Sequence, residues 1–351
     1  VLDHCIPVVL PLMRRVQGET HHVLRHRHRT SLLVIGLAAR ADTEAARVFE
    51  RLAERNALNL SVEHFAAGVA TPGLPDLRRW VDDLLGGLLA SPAPRPGGEP
   101  LELDAGELPA IAPRRATLLV GSPRGGASTS MALARHLGAA LEARGVATST
   151  IDLHRAYVSD PAIRQVVAAL HDSDVLALLS PLYVDCLPAP VTRCLELLAP
   201  AVAQAKRRIR CLGIVNCGFP EAWQADTALA IVRCFAAEAG MEWIGGLGIC
   251  EGGAILARSR LAPSLARALE ETAEAISLGT AIPPATLQLA RRPRLPPWVF
   301  RRMVSWIYRR RARQHGVRLD GRRTSGPRRM SERVHAEQAS EPRTHTPSAH
   351  P

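Results

Sequence analysis

Leu118-Leu119-Val120 is an apolar run that breaks at Gly121-Ser122-Pro123-Arg124-Gly125-Gly126-Ala127-Ser128-Thr129-Ser130, after which a helical pattern begins. A buried strand that turns through small and hydroxyl residues into a helix commits this part of the chain to an α/β unit. The turn also has a chemistry. The first N–H groups of a helix lack intrahelical acceptors, the helix dipole is positive at that end, and serine and threonine hydroxyls can donate to the same point. A phosphate suits such a place. The Gly-Lys-Ser/Thr ending of an NTPase P-loop is absent, and so is the three-glycine spacing of a dinucleotide fingerprint. The loop therefore suits a single phosphate monoester better than a nucleoside triphosphate or a dinucleotide.

The alternation continues downstream. Strands are expected over residues 116–121, 147–153, 174–180, 209–217 and 242–250, and helices over 128–144, 160–171, 189–204, 224–240 and 262–277. The expected fold is α/β, a doubly wound five-stranded parallel sheet occupying 116–282. Ligands of such sheets lie beyond the carboxyl ends of the strands, so the segments after the first, third and fourth strands are the candidate site.

Residues 1–90 repeat the second half of this domain in diverged form. Residues 1–7 parallel 194–200, 29–37 parallel 208–216, and 48–58 follow 231–241. The repeat would supply a helix, a strand, a helix, a strand and a closing helix near 75–89. It contains no counterpart of the phosphate loop. Two origins compete: a tandem protein shortened by deletion or by a misplaced start, and an accessory half-domain that packs on the complete domain or on a second subunit. An incomplete sheet leaves unpaired edges, which favours the first origin and, if the unit folds, association. Residues 91–115, dense in proline and glycine, read as a linker. Residues 283–320 form a basic extension in which Phe300, Met303, Val304 and Ile307 share one helical stripe. That stripe suits a helix docked on its own protein or a partner, and also an interfacial membrane helix. Residues 321–351, rich in Arg, Ser and Pro, read as disordered.

The net charge of +11 is unevenly placed. From Arg291 onward 16 arginines face 4 acidic residues, leaving 28 basic against 29 acidic residues elsewhere, so the globular part is near neutral. Lys206 is the sole lysine, a skew that points to compositional bias and weakens any nucleic-acid reading; no specific nucleic-acid partner is expected. Cys5, Cys186, Cys194, Cys211, Cys217, Cys234 and Cys250 form no CxxC pair and no zinc spacing, and read as small hydrophobes in a reducing, cytoplasmic setting. No metal site, signal peptide or membrane-spanning run is expected.

The second site segment, Ser180-Pro181-Leu182-Tyr183-Val184-Asp185-Cys186-Leu187-Pro188-Ala189-Pro190, leaves a buried strand and enters a helix through prolines. Together, GSPRGGASTS and SPLYVDCLPAPV resemble the flavodoxin-like NADPH-dependent FMN reductase and NAD(P)H-dependent oxidoreductase family. The resemblance covers about 116–279; 1–90 resembles the latter half of such domains, and 298–317 their C-terminal extensions. It implies a flavodoxin-like sheet preceded by a partial flavodoxin-like repeat, with FMN as cofactor and NAD(P)H as co-substrate. Ser122, Arg124, Ser128, Thr129 and Ser130 would hold the FMN phosphate. Pro181, Leu182, Tyr183, Val184 and Asp185 would line the isoalloxazine, largely through backbone groups, and Asn216, Cys217, Gly218 and Phe219 would close the third wall. Glu221 reads as a helix cap. No catalytic acid or base is demanded, because hydride transfer is the flavin's chemistry.

The implied function is hydride transfer through bound flavin to an unidentified small-molecule acceptor, in a homodimer, with peripheral membrane contact through the basic helix as a further partner. A non-catalytic flavodoxin-fold scaffold, tethered by its arginine-rich tail, is the alternative. Residues 152–160 carry no cysteine, which removes the iron–sulfur centre that some relatives insert there, and they are short for a ring-covering loop. The Cys-x5-Arg anion loop of low-molecular-weight tyrosine phosphatases is absent from the first loop, and six residues separate Cys186 from Arg193.

Overall fold

The computed structural model of the protein describes residues 9–25, 30–95, 101–106, 108–153, 160–204, 208–257, 261–317 and 319. The expectations for 1–7, for the stretch 154–159, for the middle of the linker and for the tail after 320 lie outside these residues.

Five short runs rich in aliphatic residues build the central sheet: β5 (Arg115–Val120), β6 (Ala147–Asp152), β7 (Val175–Pro181), β8 (Arg210–Asn216) and β9 (Glu242–Ile249). All neighbours are parallel, in the order β6-β5-β7-β8-β9. Because both faces are covered, the inner strands are apolar throughout rather than alternating. Val175 to Ser180 and all of β8 are buried. The covering helices are α3 (Thr129–Glu142), α4 (Asp160–His171), α5 (Ala189–Gln204), α6 (Asp226–Glu238) and α8 (Pro263–Leu278), within one or two residues of the expected boundaries. The order of the sheet is flavodoxin-like and reverses direction at β5 and β7, which places the ligand crevice at their carboxyl ends. Two short helices were not foreseen, α7 (Gly252–Ala257) and α9 (Pro284–Ala290).

The N-terminal unit holds a hairpin that the sequence reading did not contain: β1 (Val9–Val16) pairs antiparallel with β2 (Glu19–Leu24). Its two-residue loop places Gln17 at φ 46° and Gly18 at φ 104°, the left-handed pair that a tight hairpin requires. Strand β3 (Ser31–Leu37), helix α1 (Thr43–Leu60), parallel strand β4 (His64–Ala70) and helix α2 (Leu77–Leu88) repeat the order β8, α6, β9, α8. Asp42 caps α1 by accepting from the N–H of Ala45, and Ser61 ends it in the left-handed conformation.

This unit is docked on the central domain. Helix α1 packs along α6, where Arg233 Nη1 donates to Glu44 Oε1 at 2.8 Å and Arg40 pairs with Glu238. The linker is also largely docked: Trp243 Nε1 donates to the Leu103 carbonyl at 2.8 Å, Arg210 Nη1 to the Ile111 carbonyl at 2.7 Å, and Leu108 packs on the core. At the carboxyl terminus, α10 (Pro297–Gln314) lies against β1, with the Met13 N–H bonded to Ser305 Oγ at 3.1 Å.

Candidate functional site

The loop after β5 passes through one 3-10 turn, Gly125–Ala127, before α3 starts. Gly125 sits at φ 55°, where a side chain would be strained and would also meet Asp152 Oδ2 at 3.1 Å. Ser128 is the N-cap of α3, its Oγ accepting from the Met131 N–H at 3.1 Å. The N–H groups of Thr129 and Ser130, at the first two helical positions, have no intrahelical acceptor by geometry. Thr129 Oγ1 donates to the Gly252 carbonyl at 2.9 Å, and Ser130 Oγ accepts from Asn216 Nδ2 at 2.9 Å. Among the described residues the hydroxyl protons of Ser128 and Ser130 find no acceptor, whereas that of Thr129 is committed to α7. Ser122 is buried and receives the Arg124 N–H at 3.4 Å, while Arg124 itself is exposed at the rim.

After β7 the chain makes a tight turn. Tyr183 and Cys186 exchange backbone hydrogen bonds of 2.8 and 3.0 Å, and the two residues between them, Val184 and Asp185, lie at φ 52° and 57°. This is a turn geometry that favours Asn-Gly; a β-branched valine there is strained, at about 1–3 kcal/mol per left-handed residue. Asp185 is 3% exposed. Its carboxylate accepts from Arg55 Nε at 3.2 Å and from Asn59 Nδ2, both on α1. At the end of β8, Asn216 Nδ2 also donates to the Ser180 carbonyl at 3.1 Å, joining the second and third segments to the phosphate loop. Cys217 is 1% exposed, and burial pushes its thiol up to about 12, so it stays a protonated thiol.

All fourteen sequence-predicted residues line one cavity of about 1210 Å³. Ser122, Arg124, Ser128, Thr129 and Ser130 form one side; Pro181 to Asp185 and Asn216 to Phe219 form two others. The Asp185 side chain turns to the N-terminal unit. Glu221 stands at the N-cap position of the 3-10 turn Ala222–Ala225, as expected, but its side chain makes no cap bond and instead accepts from Thr20 Oγ1 of the hairpin at 2.8 Å.

The remaining lining was missed. Leu10, Met13 and His22 of the hairpin, Asn59 of α1, and Phe300, Met303, Val304 and Ile307 of α10 roof the cavity. The apolar stripe of α10 was visible in the sequence but not its destination, and Gln17-Gly18 was the overlooked hairpin signal. His22 meets Phe219 edge-on, with ring centres 5.6 Å apart, and burial lowers its pKa, leaving a neutral imidazole at pH 7. Across the roof, the Arg294 and Leu295 N–H groups bond to Glu251 at 3.1 and 3.3 Å, anchoring the strap that leads into α10.

Among the described residues no group of histidines, cysteines and carboxylates could hold a metal ion, and no helix is long and apolar enough to cross a membrane.

Residues 115–232 match the family model of NADPH-dependent FMN reductase. No curated protein matches the chain. Among solved structures, an FMN-dependent NADH-azoreductase from Bacillus anthracis, in complex with FMN, is 11% identical over 47% of this chain and 99% of its own, with a TM-score of 0.34. An apo NADH:FMN oxidoreductase is 19% identical over 53% of this chain and 98% of its own, at TM-score 0.38. An NAD(P)H:quinone oxidoreductase from Methanothermobacter marburgensis is 12% identical over 46% and 96%, at 0.36. The matched segment, 115–232, carries both the phosphate loop and the Tyr183 turn.

Proposed function

We propose that the chain is an NAD(P)H-dependent oxidoreductase that binds FMN in the 1210 Å³ cavity, with the flavin phosphate on the loop 122–130. The observation that carries this reading is the convergence of three sequence-distant segments, all fourteen residues, on one cavity at the carboxyl ends of β5, β7 and β8. The residues fit a phosphorylated flavin. A Cβ at Gly218 or Gly253, both on the cavity wall, would meet nothing within 4 Å, so the cradle is open at these points. Ser128 and Ser130 present hydroxyl protons beside the open N–H groups of α3, and Arg124 adds a cation at the rim.

When bound, FMN supplies the hydride chemistry. The chain's own residues bind, orient and dehydrate. Asn216 locks the phosphate loop to the ring wall through Ser130 and Ser180, while the hairpin and α10 exclude water from above. Pockets for one small ligand usually span about 300–1,000 Å³, so this cavity leaves room for a second molecule beside the flavin. Leu10, Met13, Phe300, Val304 and Ile307 on the roof support an acceptor with a large apolar surface.

The N-terminal unit is, in this reading, a diverged copy of the second half of the domain. Its exposed Leu37, Leu77, Leu85 and Leu89 support homodimerisation through that face. On the outward side of α10, Trp298, Arg302, Trp306, Arg309 and Arg313 fall within an arc of about 80° at 100° per residue, and both tryptophans are exposed. Tryptophan with arginine on one helix face supports peripheral contact with an anionic membrane surface.

Reconstitution with FMN followed by anaerobic addition of NADPH tests the function. Bleaching of the flavin band, with NADPH consumed in equal amount, is the expected result; an FMN-loaded protein that neither bleaches nor consumes NADPH or NADH would overturn it.

A further inference from the structure

One buried group of side chains ties the N-terminal unit to the cavity wall. Arg55 of α1 is 6% exposed and lies between two carboxylates, with Nη1 at 2.6 Å from Glu19 Oε2 and Nε at 3.2 Å from Asp185 Oδ1. Glu19 is fixed from the other side by Trp223 Nε1 at 2.8 Å and by His21 Nε2 at 3.1 Å. Asn59 completes the contact on Asp185 and is itself held by His21 Nδ1 at 2.9 Å. Within this group Asp185 alone belongs to a segment predicted to bind the cofactor, and it is the second residue of the strained left-handed pair.

We propose that Arg55 is a positioning residue of the cofactor site: by gripping Asp185 it holds the Tyr183–Cys186 turn in its left-handed form, so that the N-terminal unit completes the site from within the same chain. The proposal rests on the reading of the cavity as a flavin site.

Three features of the geometry converge on it. The turn carries valine and aspartate where glycine and asparagine relax best, so an external hold is needed to keep both residues at positive φ. The hold on the Asp185 carboxylate comes from α1, 126 and 130 residues away in sequence. The attraction is strong because the cluster is buried: burial by itself works against the Arg55 charge, yet the charges of Asp185 and Glu19 outweigh it and raise its pKa above the ordinary value. Removing the guanidinium would leave Glu19 and Asp185 as buried carboxylates sharing one small space, and the least costly release is rotation of the Val184–Asp185 pair out of the left-handed region. A turn that has moved no longer presents its backbone groups to the cavity.

The test uses the full chain and four proteins: wild type, Arg55→Met, Arg55→Lys, and Arg55→Met combined with Val184→Gly. Two quantities are read in each: the FMN dissociation constant from fluorescence quenching, and hydrogen–deuterium exchange of the amides 182–187 without FMN. Glycine adopts φ 52° without strain, so it restores the turn if holding the turn is what Arg55 does. Expected are at least tenfold weaker FMN binding and at least tenfold faster exchange in Arg55→Met, recovery of most of both in the Val184→Gly double variant, and intermediate values in Arg55→Lys.

Unchanged exchange and affinity in Arg55→Met would overturn the proposal. So would losses that Val184→Gly leaves in place, because these would mark a purely structural ion pair. Absence of FMN binding by the wild-type chain would refute the flavin reading by itself; the exchange measurement would still decide whether Arg55 holds the turn.

Discussion

Ser128→Asp separates the ligand role of the phosphate loop from its role in folding. Ser128 caps α3 through Met131, and aspartate is as good an N-cap as serine. The negative charge at the helix N-terminus adds about 0.3–1 kcal/mol of stability. The variant should therefore melt at or above the wild-type temperature. The same carboxylate occupies the point where the phosphate is placed. Two unit charges about 4 Å apart repel by about 4 kcal/mol at an effective dielectric constant near 20, which corresponds to about a 1000-fold loss of affinity. Paired thermal melts and FMN titrations of the two proteins read both quantities. A Ser128→Asp variant that melts normally and binds FMN as tightly as wild type would refute the placement of the phosphate at this loop.

Three further outcomes follow from the same geometry. Gly121→Ala places a Cβ 2.5 Å from Val191 Cγ2 in a fully packed contact, so overpacking should cost about 1–3 kcal/mol, read as a lower midpoint in urea. Burial would raise the Glu19 carboxyl, but the hydrogen bond from His21 and the Arg55 charge hold it at about 2, against an unperturbed 4.5. A depressed carboxylate stabilises above its unfolded pKa, so about 3 kcal/mol should disappear as pH falls from about 5 to 2, and Glu19→Gln should flatten that pH dependence in melts. Parallel pH profiles for the two proteins would contradict the assignment. If the outward face of α10 meets lipid, vesicles with anionic headgroups should shift the tryptophan emission to the blue while zwitterionic vesicles do not, and Arg302→Glu with Arg309→Glu should remove the shift.

The central domain was legible because its physics is local. Runs such as Leu176–Leu179 are apolar on both faces only where a parallel sheet is covered on both sides, and Ser128 announces the start of α3 by its hydroxyl. The three site segments were legible for the same reason: each begins where an apolar strand stops. The roof was not. Leu10, Met13 and His22 reach the cavity by tertiary docking, and no spacing connects a hairpin near residue 20 with a turn at residue 184. Glu221 illustrates the limit in one residue. Its place before a helix reads as a cap, but docking brings Thr20 within 2.8 Å, and the carboxylate bonds there instead. The stripe of Phe300, Val304 and Ile307 specified an apolar partner without naming it, because a cavity wall and a membrane make the same demand on a helix face.

The central claim is that the loop 122–130 holds the phosphate of a flavin, and a comparison of FMN with riboflavin on the wild-type protein tests it most directly. The two ligands share the ring system and differ in the phosphate. Hydrogen bonds to a charged group contribute about 1.5–3 kcal/mol each, so two of them among Ser128, Ser130 and the α3 N–H groups predict that FMN binds at least about 100-fold more tightly. Equal dissociation constants for the two would contradict the account.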